Sequence, residues 1–184
     1  IPLDDWAEAP ITPTLTLKRS WATDRGLGRQ LIHALVFDEP QDRIEPHLHT
    51  GCQDVNEVGR AEGAIAGINA NFFVNCAPTD LLKEGGMLHS TNQTTMFEQR
   101  SIGWTAGELP TFEWIDVGVD WSEKTHAIGG YPSLVIDGQV RAEVYNGEQV
   151  YSSTDWTAQP RSAVGIDDQD RLVLAVVDGR SGQS

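Results

Sequence analysis

The sequence predicts an α+β fold built on a mixed, mostly antiparallel β-sheet with few helices. Apolar runs of strand length are many, and 18 Gly and nine Pro residues imply many turns. A helical spacing of apolar residues is clear only over Asp54–Ala61, and Gly63 would end that helix. Asp137-Gly138 is a strong hairpin turn pair.

A hairpin is predicted at Ser162–Ile166 and Leu172–Val177, two apolar runs around an acidic connector. Leu172–Val177 shows no polar alternation, so we expect it to be buried on both faces. Arg161 precedes the first strand, and Asp178 and Arg180 follow the second. Because these two ends lie side by side in an antiparallel pair, the hairpin gathers two guanidinium groups and a carboxylate at one sheet edge.

Earlier strands are predicted at Thr14–Arg19, Gln30–Phe37 and Ile44–His49. His47 and His49 would share one face of the last of these strands. This spacing fits a pair of metal ligands, but no third ligand follows at a suitable interval. The sequence therefore favours a polar sheet face and predicts no metal site.

After the helix, the small apolar residues Ala64–Ile68 predict a buried strand that leads into Asn69-Ala70-Asn71-Phe72-Phe73. Asn69 would stand at the end of this strand, where its amide can donate to and accept from a ligand. The alternative is an Asn that caps a turn while the two Phe residues fill the core.

Two further strand pairs are predicted, Arg100–Thr105 with Thr111–Val117 and Pro132–Ile136 with Gln139–Tyr145. Gly129-Gly130 end the strand that precedes the second pair. Their lack of side chains permits close approach by another backbone or by a ligand.

The length of 184 residues fits one domain, 1–184, with the Pro-rich residues 1–13 as a loose lead-in. The net charge of −14 argues against nucleic acid or an anionic membrane as a partner, since both would be repelled. No apolar run approaches the roughly 18 residues of a membrane span.

Cys52 and Cys76 are too few for a metal cluster or a disulfide scaffold. They would form one bridge in an exported protein, and the alternative is two buried free thiols. The sequence does not separate these two states.

Four stretches, in this order, resemble the phosphodiester glycosidase family: Ala66–Phe73, Gly129–Gly138, Pro160–Ile166 and Val177–Arg180. The resemblance runs from about Asp54 to the end of the chain. It implies a glycosidic hydrolase that cleaves a sugar 1-phosphodiester, such as an N-acetylglucosamine-1-phosphodiester, without a cofactor or metal. A phosphorylated carbohydrate is then the expected substrate, and a secreted or periplasmic location is expected.

The resemblance also implies roles for individual residues. Asp178 is the candidate acid/base or nucleophile, and Arg161 is the candidate phosphate clamp, since a guanidinium binds phosphate through two parallel hydrogen bonds. Arg180 would make a second phosphate contact or orient Asp178. The alternative for Arg161 and Asp178 is a buried ion pair that closes the hairpin edge.

The remaining site residues implied by the resemblance would bind substrate. Asn69 and Ser162 would hydrogen-bond sugar or phosphate oxygens, and the backbone at Gly129 and Gly130 would line the pocket. A competing function is a non-catalytic carbohydrate- or phosphate-binding module, or a structural subunit, that kept the fold.

The chain departs from the family at three points. Asn69-Ala70-Asn71 stands where the family has Asn-Gly-Gly, and Ser162 where it has Thr. The family also continues past its Asp-Gly-Arg motif with a helix and a strand that ends in an Asn-Leu-Asp-Gly-Gly-Gly loop. This C-terminal part is lacking here, so we expect it in a second chain or a nicked fragment that packs beside Leu172–Val177 and supplies a second acidic group.

Overall fold

The computed structural model describes residues 6–24, 28–39, 44–49, 51–93, 100–140 and 160–179. These residues fall in two compact units, one drawn from Ile1–Pro40 and Ser153–Ser184 and the other from Gln41–Ser152. Each unit is built on its own five-stranded sheet. The prediction of a single domain over 1–184 stays a prediction.

The described strands and the helix are numbered in chain order. They are β1 (Ala7–Thr12), β2 (Leu15–Asp24), β3 (Gly28–Phe37), α1 (Val55–Ala61), β4 (Phe73–Val74), β5 (Ala77–Pro78), β6 (Leu82–Glu84), β7 (Met87–Ser90), β8 (Arg100–Trp104), β9 (Thr111–Trp114), β10 (His126–Gly130), β11 (Val135–Ile136), β12 (Gln139–Val140), β13 (Arg161–Ile166) and β14 (Leu172–Val177). Every ladder between them is antiparallel, so the parallel part of the predicted mixed sheet is not found among these strands.

The sheet of the first unit has the order β1-β2-β3-β14-β13. The predicted hairpin of β13 and β14 is confirmed, with pairs from Arg161↔Val177 to Ile166↔Leu172. The other edge of β14 pairs with β3, from Leu172↔Phe37 to Val177↔Ile32. The expectation of a second polypeptide beside β14 assumed that one edge of this strand is uncovered. That assumption is wrong, because β3 pairs with this edge.

The burial predicted for β14 is also wrong for most of the strand. Leu172 is buried, but the five residues from Val173 to Val177 are only half-buried. Both edges of β14 are paired, with β3 and with β13, although its faces are only partly covered.

Residues Ala7–Thr12 are not a loose lead-in, because they form β1 and pair with β2 from Ala7↔Arg19 to Thr12↔Leu15. Pro10 lies where the register of this ladder shifts. Proline lacks an N–H donor and is tolerated at sheet edges and bulges, so this edge strand can hold a Pro that a central strand could not.

Asp167 and Arg171 close the turn between β13 and β14. The Arg171 Nη2 atom lies 2.7 Å from Asp167 Oδ2, and the Gln169 and Arg171 backbone N–H groups donate to Asp167 Oδ1 at 3.0 Å. Burial alone would raise the pKa of Asp167, but the hydrogen bonds from Arg171 and Gln169 outweigh it and hold that pKa below its ordinary value.

The sheet of the second unit has the order β7-β6-β10-β8-β9, with shorter strands. Leu81, Ile115, Trp121 and Ala127 form a buried apolar cluster in this unit. Asn92 is also buried there. Its side-chain oxygen accepts a hydrogen bond from the Leu81 N–H at 2.9 Å, and its Nδ2 donates to the Ile115 carbonyl at 2.8 Å.

The predicted helix is confirmed as α1, with Asp54 as N-cap, Glu62 as C-cap and Gly63 at a φ of +68°. Its start is tied to the loop after β4, because Cys52 and Cys76 form a disulfide with Cα atoms 5.1 Å apart. The sequence was compatible with a disulfide bridge or with two free thiols, and the structure contains the bridge. Among the described residues, no helix is long and apolar enough to cross a bilayer.

Two predicted strands of the second unit are wrong. Ile44–His49 has no strand pairing and is held by side chains instead, since Trp104 Nε1 donates to the Ile44 carbonyl at 3.0 Å. Ala64–Ile68 is also irregular, with Ala64–Gly67 exposed. A run of small apolar residues can predict a buried strand, but here no described segment pairs with it.

Candidate functional site

The end of the β13–β14 hairpin holds two of the predicted site residues. Arg161 is the first residue of β13 and pairs with Val177, the last residue of β14. Asp178 follows directly, so its backbone lies beside that of Arg161 at one end of the first unit's sheet. Arg180, the third predicted charge, lies outside the described residues.

Asp178 makes two contacts with β3. Its backbone N–H donates to the Leu31 carbonyl at 3.1 Å, and the Leu31 N–H donates to its carboxylate Oδ1 at 2.5 Å. One carboxylate oxygen thus fixes the end of β14 to the neighbouring strand. Asp178 therefore has a structural role in addition to any chemical one.

Arg161 and Ser162 are both exposed. Because Arg161 is exposed, an ion pair that closes the hairpin edge would lie at the surface on the Arg161 side. Successive residues of a strand project to opposite faces, so Arg161 and Ser162 point to opposite sides of the sheet. They can reach one ligand only around the end of the strand, where Arg161 stands.

The second unit brings two other motifs together. The rings of Phe72 and Tyr131 lie 5.1 Å apart, which places the Asn69–Phe73 stretch beside the strand end that carries Gly129 and Gly130. Asn69 is exposed and lies in a loop, because the strand expected before it does not form.

Asn71 is a candidate that the sequence reasoning missed. Its Nδ2 donates to the Leu81 carbonyl at 2.7 Å, while its buried Oδ1 has no hydrogen-bond partner among the residues that the structure describes. A buried acceptor without a partner is costly, so this oxygen is a suitable acceptor for a ligand hydroxyl. The signal in the sequence was a second Asn two positions after Asn69 in the same motif.

Gly129 and Gly130 differ in what surrounds them. A Cβ on Gly129 would meet Asn92 Oδ1 at 2.7 Å and the Leu81 N atom at 2.8 Å, and the Gly129 N–H donates to the Leu81 carbonyl at 2.6 Å. Gly129 is therefore required by packing. Among the described residues, a Cβ on Gly130 would meet nothing within 4 Å, so Gly130, unlike Gly129, leaves open space beside the backbone.

The four motifs are thus arranged as two pairs. Arg161, Ser162 and Asp178 belong to the first unit, and Asn69, Gly129 and Gly130 belong to the second. That all of them line one cleft stays a prediction.

Comparison with known proteins identifies the family. A family model described as phosphodiester glycosidase matches residues 62–184, which are 123 of the 184 residues. No curated protein matches the chain.

A solved structure described as a hypothetical protein from Synechocystis is similar, with a TM-score of 0.64 and 13% sequence identity. The alignment covers 97% of this chain and 53% of that one, so the chain spans about half of its length. At this identity the likeness shows the fold alone. The match over residues 62–184 establishes that the chain belongs to the phosphodiester glycosidase family.

Proposed function

We propose that the chain hydrolyses a sugar 1-phosphodiester, such as an N-acetylglucosamine-1-phosphodiester, at the glycosidic bond. The observation that carries the proposal is the pairing of family motifs at the β13–β14 end, where Asp178 follows the residue opposite Arg161. A carboxylate and a guanidinium at the same end of a hairpin suit this reaction, since the guanidinium can bind the phosphate while the carboxylate acts on the anomeric centre.

In this scheme Arg161 clamps the phosphate through two hydrogen bonds. The clamp also stabilises the departing phosphomonoester, which then needs less protonation than an ordinary leaving group. Asp178 acts as acid/base or nucleophile through Oδ2, because its Oδ1 accepts the Leu31 N–H. Arg180 is assigned a second phosphate contact or the orientation of Asp178.

Asn69 and Asn71 are assigned the hydroxyls of the sugar, and the open space beside Gly130 is assigned to the ligand. Ser162 is assigned a phosphate or sugar oxygen at the strand end. Glycoside hydrolysis usually employs two carboxylates, and Asp178 is one of them. We assign the other to a C-terminal segment or second chain of the kind found in the family.

A secreted or periplasmic location is part of the proposal. It is supported by the Cys52–Cys76 disulfide, because disulfides persist mainly in oxidising compartments.

The proposal is tested by incubating the chain with a panel of sugar 1-phosphodiesters and measuring release of the phosphomonoester. Asp178→Asn should lower kcat by about 10²–10⁴-fold, the usual size of a general acid/base contribution. Its amide oxygen can still accept the Leu31 N–H, so the fold is preserved. Arg161→Lys should also lower kcat, because an ammonium cannot make the two-pronged contact.

Asp168→Asn, an exposed change in the turn of the same hairpin, is the matched control and should leave the rate unchanged. Wild-type rates in both site variants would contradict the assignment. The competing function is a non-catalytic carbohydrate- or phosphate-binding module, favoured by the structural task that Asp178 already performs. Tight binding of the phosphodiesters without hydrolysis would support that function instead.

A further inference from the structure

Four of the chain's five histidines lie in the second unit, and three of them contact glutamates. His47 Nδ1 is 3.1 Å from Glu84 Oε1, and His89 Nε2 is 3.3 Å from the other oxygen of Glu84. His49 Nε2 is 3.5 Å from Glu62 Oε1. We call this group the histidine cluster; its members are His47, His49, His89, His126, Glu45, Glu62 and Glu84.

Three members of the cluster bring ligand atoms together. One atom from each of His47, His49 and Glu62 lies within 4.8 Å of the other two. Two imidazole nitrogens and one carboxylate oxygen form a common zinc-binding set, in which a water takes the fourth tetrahedral position. The third ligand that the sequence spacing lacked is therefore supplied by the C-cap of α1.

Glu84 occupies the position of an outer-shell partner. A proton on His47 Nδ1 directed at Glu84 leaves the lone pair of Nε2 for a metal, as in the carboxylate–histidine–metal arrangement. Glu84 is itself held in place, because its Oε2 accepts the Leu48 N–H at 3.4 Å. This orientation of His47 exists before any metal binds.

The charge of the cluster favours a cation. Glu45 Oε2 lies 3.6 Å from His47 Nε2, so three carboxylates stand among the imidazoles, in a chain of net charge −14.

Helix α1, which Glu62 caps, has seven residues and none of them is buried. Such short helices are marginal without packing. The disulfide fixes the segment before α1, and Trp104 fixes the start of the His47–His49 segment. A metal joining Glu62 to the two histidines would fix the C-terminal end of the helix.

We propose that the chain binds one divalent transition-metal ion of the zinc type, with one ring nitrogen from each of His47 and His49 and a Glu62 carboxylate oxygen as ligands. The site is independent of the proposed glycosidase reaction. The other explanation of the same contacts is a set of ordinary histidine–glutamate pairs that needs no metal.

The test is a ZnCl₂ titration of the intact chain after EDTA treatment and dialysis, followed by isothermal calorimetry and metal analysis. We expect one Zn²⁺ per chain. His49→Gln and Glu62→Gln should each weaken binding by at least about tenfold, because loss of even an outer-shell partner costs 10–100-fold. Glu57→Gln, in the first turn of the same helix, and His33→Gln, in the other unit, should bind as the wild type does.

A thermal melt gives a readout that does not depend on activity. Zn²⁺ should raise the melting temperature of the wild type and of Glu57→Gln, since a ligand that binds only the folded state stabilises it. It should not raise that of Glu62→Gln, which changes one exposed side chain and keeps the fold. Absence of zinc uptake by the wild type, or equal uptake by both ligand variants, would overturn the proposal.

Discussion

The two five-stranded sheets of this chain are stabilised by different kinds of interaction. In the first unit, β2 and β3 pair over ten consecutive positions from Leu15↔Phe37 to Asp24↔Gly28, so the backbone ladder is long and regular. In the second unit, β6 has three residues and β10 pairs with it at only two positions. There the buried side chains hold the short strands in place.

The difference shows that strand length and interior packing can substitute for each other. The second unit buries polar groups that bond to its backbone, such as Asn92, beside the apolar cluster around Leu81 and Trp121. Single side-chain changes should therefore damage the second unit more than the first.

The largest effect is expected for Asn92→Ala. The Asn92 amide accepts a hydrogen bond from the Leu81 N–H and donates one to the Ile115 carbonyl. Both backbone groups would be left buried without a partner. At about 1–3 kcal/mol for each such group, the loss is about 2–6 kcal/mol in the free energy of unfolding. Chemical denaturation measures it, with Gln93→Ala, an exposed neighbour, as the control. Equal stability of the two variants would show that side-chain bonds do not hold this unit.

The next effect is expected for the double change Cys52→Ser and Cys76→Ser. The bridge closes a loop between residues 24 apart, and its loss should cost about 3 kcal/mol through the entropy of the unfolded chain. Hydrogen exchange of peptides over residues 52–93 locates the loss. Thiol titration of the unreduced wild type should find no free sulfhydryl, and a count of two would contradict the bridge.

A smaller effect is expected for Gly129→Ala. The added methyl would collide with the Leu81 backbone and with Asn92, and overpacking of this kind costs about 1–3 kcal/mol. Gly130→Ala is the matched control, because its Cβ would meet nothing within 4 Å. The two variants should differ in thermal midpoint. Identical midpoints would show that the residues around Gly129 accommodate the methyl group without loss of stability.

The smallest effect is expected in the first unit, for Asp167→Asn. Because the folded pKa of Asp167 is lowered, its stabilising effect is complete above its ordinary pKa of 3.8 and is lost as pH falls through the folded value. Denaturation at neutral pH should show the variant slightly less stable than the wild type, with the difference vanishing in acid. A difference that persists in acid would reject the explanation.

The elements predicted best from the sequence are those formed by residues that lie close together along the chain. The β13–β14 hairpin, the α1 helix and the Asp137-Gly138 turn depend on residues near in sequence, and all three are found. β1 was missed because its pairing with β2 outweighs the Pro-rich composition. Ala64–Ile68 was wrongly predicted as a strand, since small apolar residues indicate burial only where a partner strand exists.

The candidate site shows the same limit. The motifs identified Arg161 and Asp178, but only the fold shows that the Asp178 carboxylate also serves the Leu31 backbone. The two adjacent glycines look equivalent in sequence, yet only Gly129 is fixed by packing. Glu62 follows His47 by 15 positions, so no spacing rule could relate it to the two histidines.

The position of β14 between β3 and β13 has a consequence for synthesis on the ribosome. β3 emerges with one edge paired to β2, while its partner on the other edge begins 135 residues after Phe37. At about 5–20 residues per second, that edge stays open for about 7–27 s. An open strand edge is a template for pairing with other chains. A nascent chain of this protein should therefore depend on chaperones until Leu172–Val177 has left the exit tunnel.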